Sequence, residues 1–417
     1  MPRPLSRRQV LQLAVPLCVG GCSNGNSDSA AQAQSGVEQV TLFSWWIAPS
    51  EADALQALIA VHNEKYPKER IYNAALESGV KAQEALDANL AAGTPPDLFQ
   101  ESAYNLGGFL AANPATLVPL SDFFSAHGLL DVIVPEVIAD VTFNGEIWAM
   151  PVNIHRENAL HYNKKIFADL SLAVPTTLPE LLATCDQLKA AGIIPLATAY
   201  DGWIIRILFN GLAAASMGPA AFESYFTGKT AIDEGAINQA IDLLDNVLTN
   251  YVNASANQPT FLWTDAANLL LNGQAAMFIH GDWAKGYLTQ VGWKPGVGFD
   301  VVGMPGAADL FLYGVDSFAL PNGGPQPEAA KHFLETVASA EGQIAFNKLK
   351  GSSTVRLDIS PDQFDPAGQA TLADLRNAKI RMLTRSKSVW DDAFHAFASS
   401  RDKAALLSVL IDNPPDK

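Results

Sequence analysis

The sequence predicts a two-lobed α/β protein, and two observations lead to this fold class. From Glu38 onward, short β-prone runs alternate with longer helical patterns, which is typical of βαβ units with a largely parallel sheet. The chain then runs in extended segments near 151–155 and again near 315–320, where one α/β block meets the other. No Pro/Gly/Ser-rich linker separates the blocks, so we expect two lobes that share a cleft and bend about these crossings.

The first block is predicted to contain three strands, two helices and a hairpin. Ser50 is expected to cap the first helix, because Glu51 and Asp53 would then lie in the first turn, where the helix dipole favours acids. Asn144-Gly145 between β-prone runs predicts the hairpin. In chain order, the other predicted elements are a strand at Val40–Trp45, a helix at Ser50–Tyr66, a strand at 70–76, a helix at Gly79–Ala92 and a strand at 95–100.

The second block is predicted to begin with a helix that carries a capping box from Thr177 to Glu180 and ends before Gly192. Thr264 is expected to cap a later helix. From Gln326 to the C-terminus, nearly the whole chain is expected to be helical. The remaining predictions are strands at 193–200, 275–283, 299–305 and 313–321, and helices near 203–215, 219–226 and 233–250.

Residues 1–21 are predicted to be a secretory signal peptide. Three arginines precede an apolar segment from Val10 to Val19, and this segment is too short to span a bilayer. Arg7 and Arg8 also fit a twin-arginine signal, which exports folded proteins, and a chance arginine pair in an ordinary signal is the alternative.

The signal is followed by a segment that is similar to a bacterial lipobox, Val19-Gly-Gly-Cys22. We therefore expect Cys22 to carry lipid and residues 22–37, which are rich in Ser, Asn, Ala and Gln, to form a flexible tether. The expected location is the periplasm or the extracellular face, with the lipid on Cys22 as the only attachment to the membrane.

The composition limits the partners and the chemistry. A formal net charge of −16 argues against nucleic acid as a partner. Cys18 is expected to leave with the signal and Cys22 to carry lipid, so Cys185, on an apolar helical pattern, is left alone and no intramolecular disulfide is expected. The histidines lack zinc spacing, and the sequence has neither a nucleotide-binding glycine motif nor a nucleophile elbow, so we predict no metal and no cofactor.

Several of the eight tryptophans lie beside carboxylates or glycines rather than inside apolar runs, as in Asp201-Gly-Trp203 and Gly281-Asp-Trp283. Sugar recognition requires this mixture, because the C–H face of a pyranose packs on an aromatic ring while its hydroxyls need polar partners. Tryptophans also commonly fill cores. We favour the site for Trp46, Trp263 and Trp283.

Three polar residues are further candidates, each with a structural alternative. Asp316 lies in a strand that otherwise looks buried, so its carboxylate needs partners, either a hydrogen-bond network or sugar hydroxyls. Lys350 either points into the cleft or simply ends a helix before Gly351. His155 is either a ligand contact or an ordinary strand histidine.

The chain resembles the extracellular solute-binding proteins of family 1, the substrate-capturing lipoproteins of sugar ABC importers, and most resembles their glucose/mannose-binding type. The resemblance covers most of the chain after the tether. It rests, in this order, on Phe43-Ser-Trp-Trp46 with Glu51, Pro95-Pro-Asp-Leu-Phe-Gln100, Trp148 with Pro151-Val-Asn-Ile-His-Arg156, Gly281-Asp-Trp283, Asp316-Ser-Phe318 and Lys348-Leu-Lys-Gly-Ser352.

The resemblance implies a periplasmic binding protein fold of type II, with two Rossmann-like lobes that close on the ligand by hinge motion. Family contacts then carry over to Trp45, Trp46, Glu51, Gln100, His155, Trp263, Trp283, Asp316 and Lys350. One indole of the tryptophan pair is expected to anchor the lobe and the other, Trp46, to wall the cleft, because adjacent strand side chains face opposite ways. Trp46→Ala should accordingly abolish binding and leave the fold intact.

Two positions depart from the glucose-binding pattern. Relatives carry a histidine shortly after the glutamine of the third strand, where Ser102 stands here, and another late in the chain, where Arg385 and Lys387 are offered. Glucose is therefore not specified. A disaccharide, a glycosyl-polyol, or a sugar with an anionic group that Lys350 or Arg385 could meet are the alternatives.

We predict lobe 1 to comprise residues 38–151 and 318–358, and lobe 2 to comprise 152–316 and 359–417. The expected function is non-catalytic: a monomer binds a sugar in the cleft and delivers it to the permease subunits of an ABC importer. The alternative is a secreted lipoprotein glycosidase. It would need a positioned carboxylate pair, which could be drawn from Glu51, Asp282 and Asp316.

Overall fold

A computed structural model describes residues 37–76, 79–112, 115–230 and 233–414. The predicted signal peptide, the lipobox at Cys22 and almost all of the tether lie outside these residues. Within them, no helix combines the length and the apolar character needed to cross a membrane.

The strands of the described residues are short, and most have four to seven residues. They are β1 Glu38–Ser44, β2 Glu69–Ala75, β3 Leu98–Ser102, β4 Thr142–Phe143, β5 Glu146–Ile147, β6 Ala149–Pro151, β7 His155–Arg156, β8 Ala159–Asn163, β9 Ile194–Ala197, β10 Ala275–His280, β11 Phe299–Gly303, β12 Leu310–Gly314, β13 Asp316–Ala319 and β14 Ile380–Leu383.

The helices between them form the outer layers. They are α1 Pro49–Lys65, α2 Gly79–Ala91, α3 Ala103–Ala112, α4 Ser121–Ala126, α5 Pro135–Asp140, α6 Lys164–Asp169, α7 Leu178–Ala190, α8 Gly202–Met217, α9 Pro219–Phe226, α10 Glu234–Asn250, α11 Trp263–Leu271, α12 Trp283–Gln290, α13 Pro327–Ala338, α14 Ala340–Lys350, α15 Pro366–Asn377, α16 Ser388–Ser400 and α17 Lys403–Asp412.

Two sheets with separate hydrophobic cores make the two lobes. The first sheet has the strand order β2-β1-β3-β13-β6 and the second has the order β11-β8-β10-β9. Large buried side chains fill each lobe, including Phe99, Phe318 and Phe333 in the first and Phe209 and Phe394 in the second. The predicted fold class, two α/β lobes, is confirmed.

The sheets are mixed rather than largely parallel, so that part of the sequence prediction was wrong. β1 pairs in parallel with β2 and β3, and β9 pairs in parallel with β10. The strands that enter or leave at the crossings, β13 and β8, pair with both of their neighbours antiparallel. Alternation along the chain predicts strands and helices, but a chain that passes between lobes returns to a sheet in either direction.

A two-stranded crossing ribbon, residues 152–157 and 312–316, connects the lobes. β7 pairs antiparallel with β12, so that His155 lies opposite Gly314. On one side of this pair the ribbon continues into β6 and β13 of the first sheet. β14 pairs with the other edge of β12. Residues directly opposite in an antiparallel pair share a face, so the ribbon presents one continuous row of side chains.

Helix α12 of lobe 2 packs against helices α1 and α14 of lobe 1. The backbones touch at two glycines: a Cβ built on Gly286 would lie 2.5 Å from the Lys350 carbonyl oxygen. Gly351 ends α14 in the left-handed conformation, with φ of 86°, and faces the Gly286 backbone nitrogen. Only glycine allows so close an approach there, so the lobes meet closely along these helices.

Two local predictions are confirmed by backbone geometry. Asn144 and Gly145 have φ of 54° and 82° and join β4 to β5 in an antiparallel hairpin, as a type I′ turn requires. Thr177 accepts from the backbone N–H of Glu180, and the Glu180 side chain caps Thr177 in return.

Three local predictions were wrong. Ser50 does not cap α1, because the helix begins at Pro49 after Ala48, and the buried Ser50 hydroxyl lies inside the first turn. Thr264 does not cap α11, which begins at Trp263 and has Asp265 bonded back to the Leu262 N–H. The chain after Gln326 is less helical than predicted, since residues 351–360 contain no helix and β14 lies beyond them.

Candidate functional site

Asp316, the first residue of β13, lies at the centre of a polar group on the crossing ribbon. Gln100 Nε2 donates to its Oδ1 at 3.2 Å and Asn153 Nδ2 to its Oδ2 at 2.8 Å, while His155 Nε2 lies 3.3 Å from Oδ2. Burial by itself would raise the pKa of Asp316. The hydrogen bond and charge of His155, with Lys350 and Asn153, outweigh burial and lower that pKa to about 2.

His155 joins two carboxylates across the ribbon. Its Nδ1 lies 2.6 Å from Asp282 Oδ1, and Asp282 also accepts from the Arg156 backbone N–H at 2.9 Å. Burial and the charge of Lys350 act to lower the pKa of His155, but Asp282 and Asp316 outweigh both, so the pKa is raised above 6.5. The imidazole therefore holds an aspartate on each side.

Lys350 ends helix α14 and is almost fully buried. Its Nζ lies 2.6 Å from Glu51 Oε1, which comes from the first turn of α1. The same ammonium lies 5.7 Å from the ring centroid of Trp46 and 5.8 Å from that of Trp283, within range of cation–π attraction. Lys350 thereby links an indole of lobe 1 to an indole of lobe 2.

The two tryptophans after β1 differ in burial in the opposite sense to the one expected: Trp46 is buried and Trp45 is the more exposed. Trp46 is 1% exposed and packs against Phe318 and Phe346, with centroid distances of 5.7 and 4.9 Å. Trp45 is half-buried and lines a small cavity of about 10 Å³ together with Gln100 and residues of α2. β1 ends at Ser44, so both indoles lie beyond the strand and its alternation does not determine which of them enters the core.

Trp263 and Trp283 lie in one aromatic group of lobe 2 around His280. Trp283 Nε1 donates to His280 Nε2 at 3.0 Å. The rings of Trp203, Trp263 and Trp283 have centroids 5.2, 5.5 and 5.0 Å from the imidazole of His280. Trp283 also meets His155 edge-on at 4.9 Å, so this group adjoins the Asp316 group.

Arg385 lies elsewhere. Its charge acts on Asp140 and Tyr313, and its Nε has no hydrogen-bond partner. It follows β14, whose neighbour is the outer edge of the crossing ribbon. The structure thus brings together nine of the ten predicted ligand residues through a chain of direct contacts and places Arg385 beside a different carboxylate.

Four residues of the site were not among the predicted ligand residues: Asn153, Trp203, His280 and Asp282. Asn153 lies in the same short run as His155, and His280 and Asp282 flank the glycine before Trp283. Trp203 follows Asp201-Gly202 in the sequence, but only the fold brings α8 beside α12.

The chemistry of this group suits the binding of polar rings. The pKa of Asp316 is lowered, so its carboxylate is charged at neutral pH and accepts hydrogen bonds. Within the described residues, no cluster of His, Cys, Asp and Glu could hold a metal ion. Buried acceptors, amide donors and indole faces side by side match the hydroxyls and C–H faces of a polar ring.

A two-lobed α/β fold with a polar and aromatic site on the crossing segments defines a solute-binding protein. The chain belongs to the bacterial extracellular solute-binding protein family, whose match extends over residues 48–344. It is therefore a binding protein rather than an enzyme.

Two relatives are similar over most of the chain. An ABC transporter extracellular-binding protein of Pyrococcus horikoshii is 30% identical over 382 residues, which are 90% of this chain and 84% of the relative. A probable sugar-binding periplasmic protein of Mesorhizobium japonicum is 29% identical over 346 residues, 82% of each protein.

Solved structures share the fold. The bacterial solute receptor AcbH, described as having an exclusive preference for β-D-galactopyranose, superposes with a TM-score of 0.77 at 19% identity. The alignment covers 89% of this chain and 96% of the receptor. At this identity the likeness concerns the architecture of the two lobes.

Proposed function

We propose that this protein binds a carbohydrate between its lobes and delivers it to the permease subunits of an ABC importer. The observation that carries the proposal is the Asp316 group on the crossing ribbon, next to indoles from both lobes. Relatives named as sugar-binding support the same ligand class.

The proposed binding residues are drawn from those that the sequence predicted, but their roles in the site differ. Asp316, Gln100, Glu51 and Lys350 supply hydrogen bonds to hydroxyls, because carboxylates, amides and ammonium groups bind them in pairs. His155 holds Asp316 in place. The aromatic faces come from Trp45, Trp263 and Trp283, while Trp46 is 1% exposed and supports the site from the core of lobe 1. Arg385 has the least support as a binding residue, because its charge acts on Asp140.

The proposed ligand is a glucose-type mono- or disaccharide or a glycosyl-polyol. The proposed division into lobes follows the two sheets, with the chain crossing between β6 and β7 and between β12 and β13. Outside the cytoplasmic membrane, a monomer tethered through lipidated Cys22 would remain close to the permease that it serves.

A thermal-shift screen with mono- and disaccharides, glycosyl-polyols and sugar acids tests the ligand class. A ligand that binds the native state raises the melting temperature, and isothermal titration then gives the affinity. Stoichiometric recovery of the intact sugar after incubation is expected. Conversion of the sugar, or no shift with any carbohydrate, would contradict the proposal.

Asp316→Asn tests the site. The amide replaces one acceptor oxygen with a donor that faces the Asn153 amide, so we expect about a hundredfold loss of sugar affinity, as for a buried unmet hydrogen bond to a charged group. Asp309→Asn is the matched control, because Asp309 pairs with Lys379 at the surface and should leave the affinity unchanged. Equal affinities for both variants would remove Asp316 from the site.

A further inference from the structure

The polar face of the crossing ribbon continues beyond the Asp316 group. β7 ends at Arg156, but the Glu157 backbone N–H donates to the Leu312 carbonyl at 2.9 Å, so the ladder continues by one residue. The side chains of His155 and Glu157 therefore share a face. Glu157 Oε1 would lie 2.8 Å from a Cβ on Gly314, which confirms that the carboxylate leans across the ribbon on that face. Glu157 is nearly fully buried and accepts from the Thr384 hydroxyl at 2.8 Å.

Arg206 of lobe 2 lies next to Glu157. Its Nε donates to Asp391 Oδ1 at 2.7 Å, while its Nη1 is 3.8 Å from Glu157 Oε2, too long for a hydrogen bond. The side chain is 3% exposed and Nη1 has no hydrogen-bond partner. A buried guanidinium N–H without an acceptor is costly, so this donor is available to an acceptor from a ligand or from water.

Lobe 1 contributes to the same place through the segment after β3. Ser102 lies opposite Asp316 in the β3–β13 pair. Burial raises the pKa of Tyr104 to about 12, and the charges of Arg206, Glu157 and Asp391 also act on that phenol. Helix α8 of lobe 2 supplies two residues to this region, Trp203 and Arg206. Trp203, which meets Trp283 at 6.1 Å, is one helical turn before Arg206.

We propose that Arg206, Glu157 and Tyr104 form a second subsite that binds an uncharged, hydroxyl-bearing second unit of the ligand. This inference rests on the proposed function, because the first unit occupies the Asp316 group. Two residues along a strand span about 7 Å, which suits two joined units lying along the ribbon. A hydroxyl there accepts from Arg206 Nη1 and donates to Glu157, filling the gap between them.

Charge selects the class of the second unit. Asp391 and Glu157 flank Arg206, so its positive charge is already offset, and an anionic group would lie against two carboxylates. The subsite therefore favours a neutral disaccharide or a glycosyl-polyol over a sugar acid. Of the ligand classes that the sequence leaves open, the charges around Arg206 favour the two neutral ones.

Isothermal titration of the intact chain tests this subsite. The probes are D-glucose, D-mannose, maltose, trehalose, glucosylglycerol and its carboxylate analogue glucosylglycerate. We expect at least one neutral two-unit probe to bind about tenfold or more tightly than the best monosaccharide, as one good extra pair of hydrogen bonds provides. Glucosylglycerol should bind more tightly than glucosylglycerate.

Arg206→Met should remove the two-unit preference and change the monosaccharide affinity by less than about threefold. Tyr104→Phe deletes one hydroxyl from the other lobe and should reduce the same preference for two-unit ligands. If Arg206→Met does not fold, Tyr104→Phe alone tests the subsite. Arg401→Met is the matched control, since Arg401 also has a buried Nη1 without a partner but binds Tyr200 and the Leu248 carbonyl.

Three results would overturn the subsite and leave carbohydrate binding standing: no two-unit probe exceeds the monosaccharides, Arg206→Met weakens both classes by the same factor, or glucosylglycerate binds best. If wild type binds no carbohydrate at all, the proposed function fails and the subsite fails with it.

Discussion

Burial separates the roles of the two adjacent indoles after β1. Trp46 packs against Phe318 and Phe346 inside lobe 1, so Trp46→Ala leaves a large cavity and should lower the free energy of unfolding by about 3–5 kcal/mol. Trp45→Ala should cost clearly less, because Trp45 is half-buried. The sequence-based expectation that Trp46→Ala would leave the fold intact is therefore replaced.

Urea unfolding of both variants measures this difference, with Trp46→Phe as the conservative control. A Trp46→Ala protein as stable as wild type, or a larger loss for Trp45→Ala, would contradict the assignment of core and site.

The carboxylates around His155 predict a specific pH dependence of stability. Its folded pKa is raised above 6.5, so His155 stabilises the fold fully below 6.5 and this contribution is lost as the pH rises through the raised value. The folded pKa of Asp316 is lowered from 3.8 to about 2, so its contribution is present above 3.8 and is lost as the pH falls toward 2. The pair is most favourable between these limits.

Urea unfolding from pH 4 to 9 compares wild type with His155→Gln. We expect the advantage of wild type to be largest below pH 6.5 and to shrink as the pH rises through the raised pKa of His155. His161→Gln is the control of opposite sign, because burial lowers the pKa of His161 to about 4 and wild type should lose stability relative to this variant as the pH falls below 6.5. An advantage of His155 that grows in alkali would refute the assignment.

The sequence predicts which residues form the candidate site, but not how much each of them contributes to it. Asp316 stands out because its charge interrupts an otherwise apolar strand, and Trp283 stands out because it follows a glycine and an aspartate. Lys350 stands out as a lysine at a helix end before Gly351. Arg206 gave no such signal for binding, since a single arginine in an apolar helix also suits an ion pair. Only the position of α8 beside the ribbon shows that Nη1 lacks a partner.

At the scale of elements, the contact between α12 and α14 depends on Gly286. A Cβ there would lie 2.5 and 2.7 Å from the carbonyl oxygens of Lys350 and Leu349, which real Cβ atoms do not approach so closely. Gly286→Ala should therefore force the two helices apart. We expect at least about a tenfold loss of affinity for the sugar found in the screen, with a smaller change in the stability of the free protein.

Titration and small-angle X-ray scattering measure this effect, since ligand-induced compaction should be lost together with affinity. Gly108→Ala is the control, because nothing lies within 4 Å of a Cβ at that helical position and alanine favours a helix. Retained compaction and affinity in Gly286→Ala would show that binding does not require this contact.

Element boundaries were predictable where local chemistry sets them. The capping box at Thr177 and the Asn144-Gly145 turn are local features, and both were found. β14 was missed because it is only four residues long and includes the exposed Arg381, so its alternation is weak. Its pairing with β12 depends on a partner about 70 residues earlier in the chain, which no local pattern reveals.

At the scale of the whole molecule, the number of lobes followed from the order of strands and helices, while the direction of the strands did not. β13 pairs antiparallel with β3 and β6 because the chain enters the first sheet from the crossing ribbon instead of through a helix on its face. Parallel neighbours are usually joined by a crossover helix, as α1 joins β1 to β2, whereas β13 follows the ribbon directly.

The crossing ribbon has one more consequence, because Asp316 and His155 belong to the backbone segments that join the lobes. A solute bound by these side chains would connect both crossing segments and stiffen the region about which the lobes rotate. Ligand occupancy and the external shape of the protein are then both determined at the crossing ribbon. A permease that senses only the outside of the molecule could distinguish loaded from empty copies without any relay through either interior.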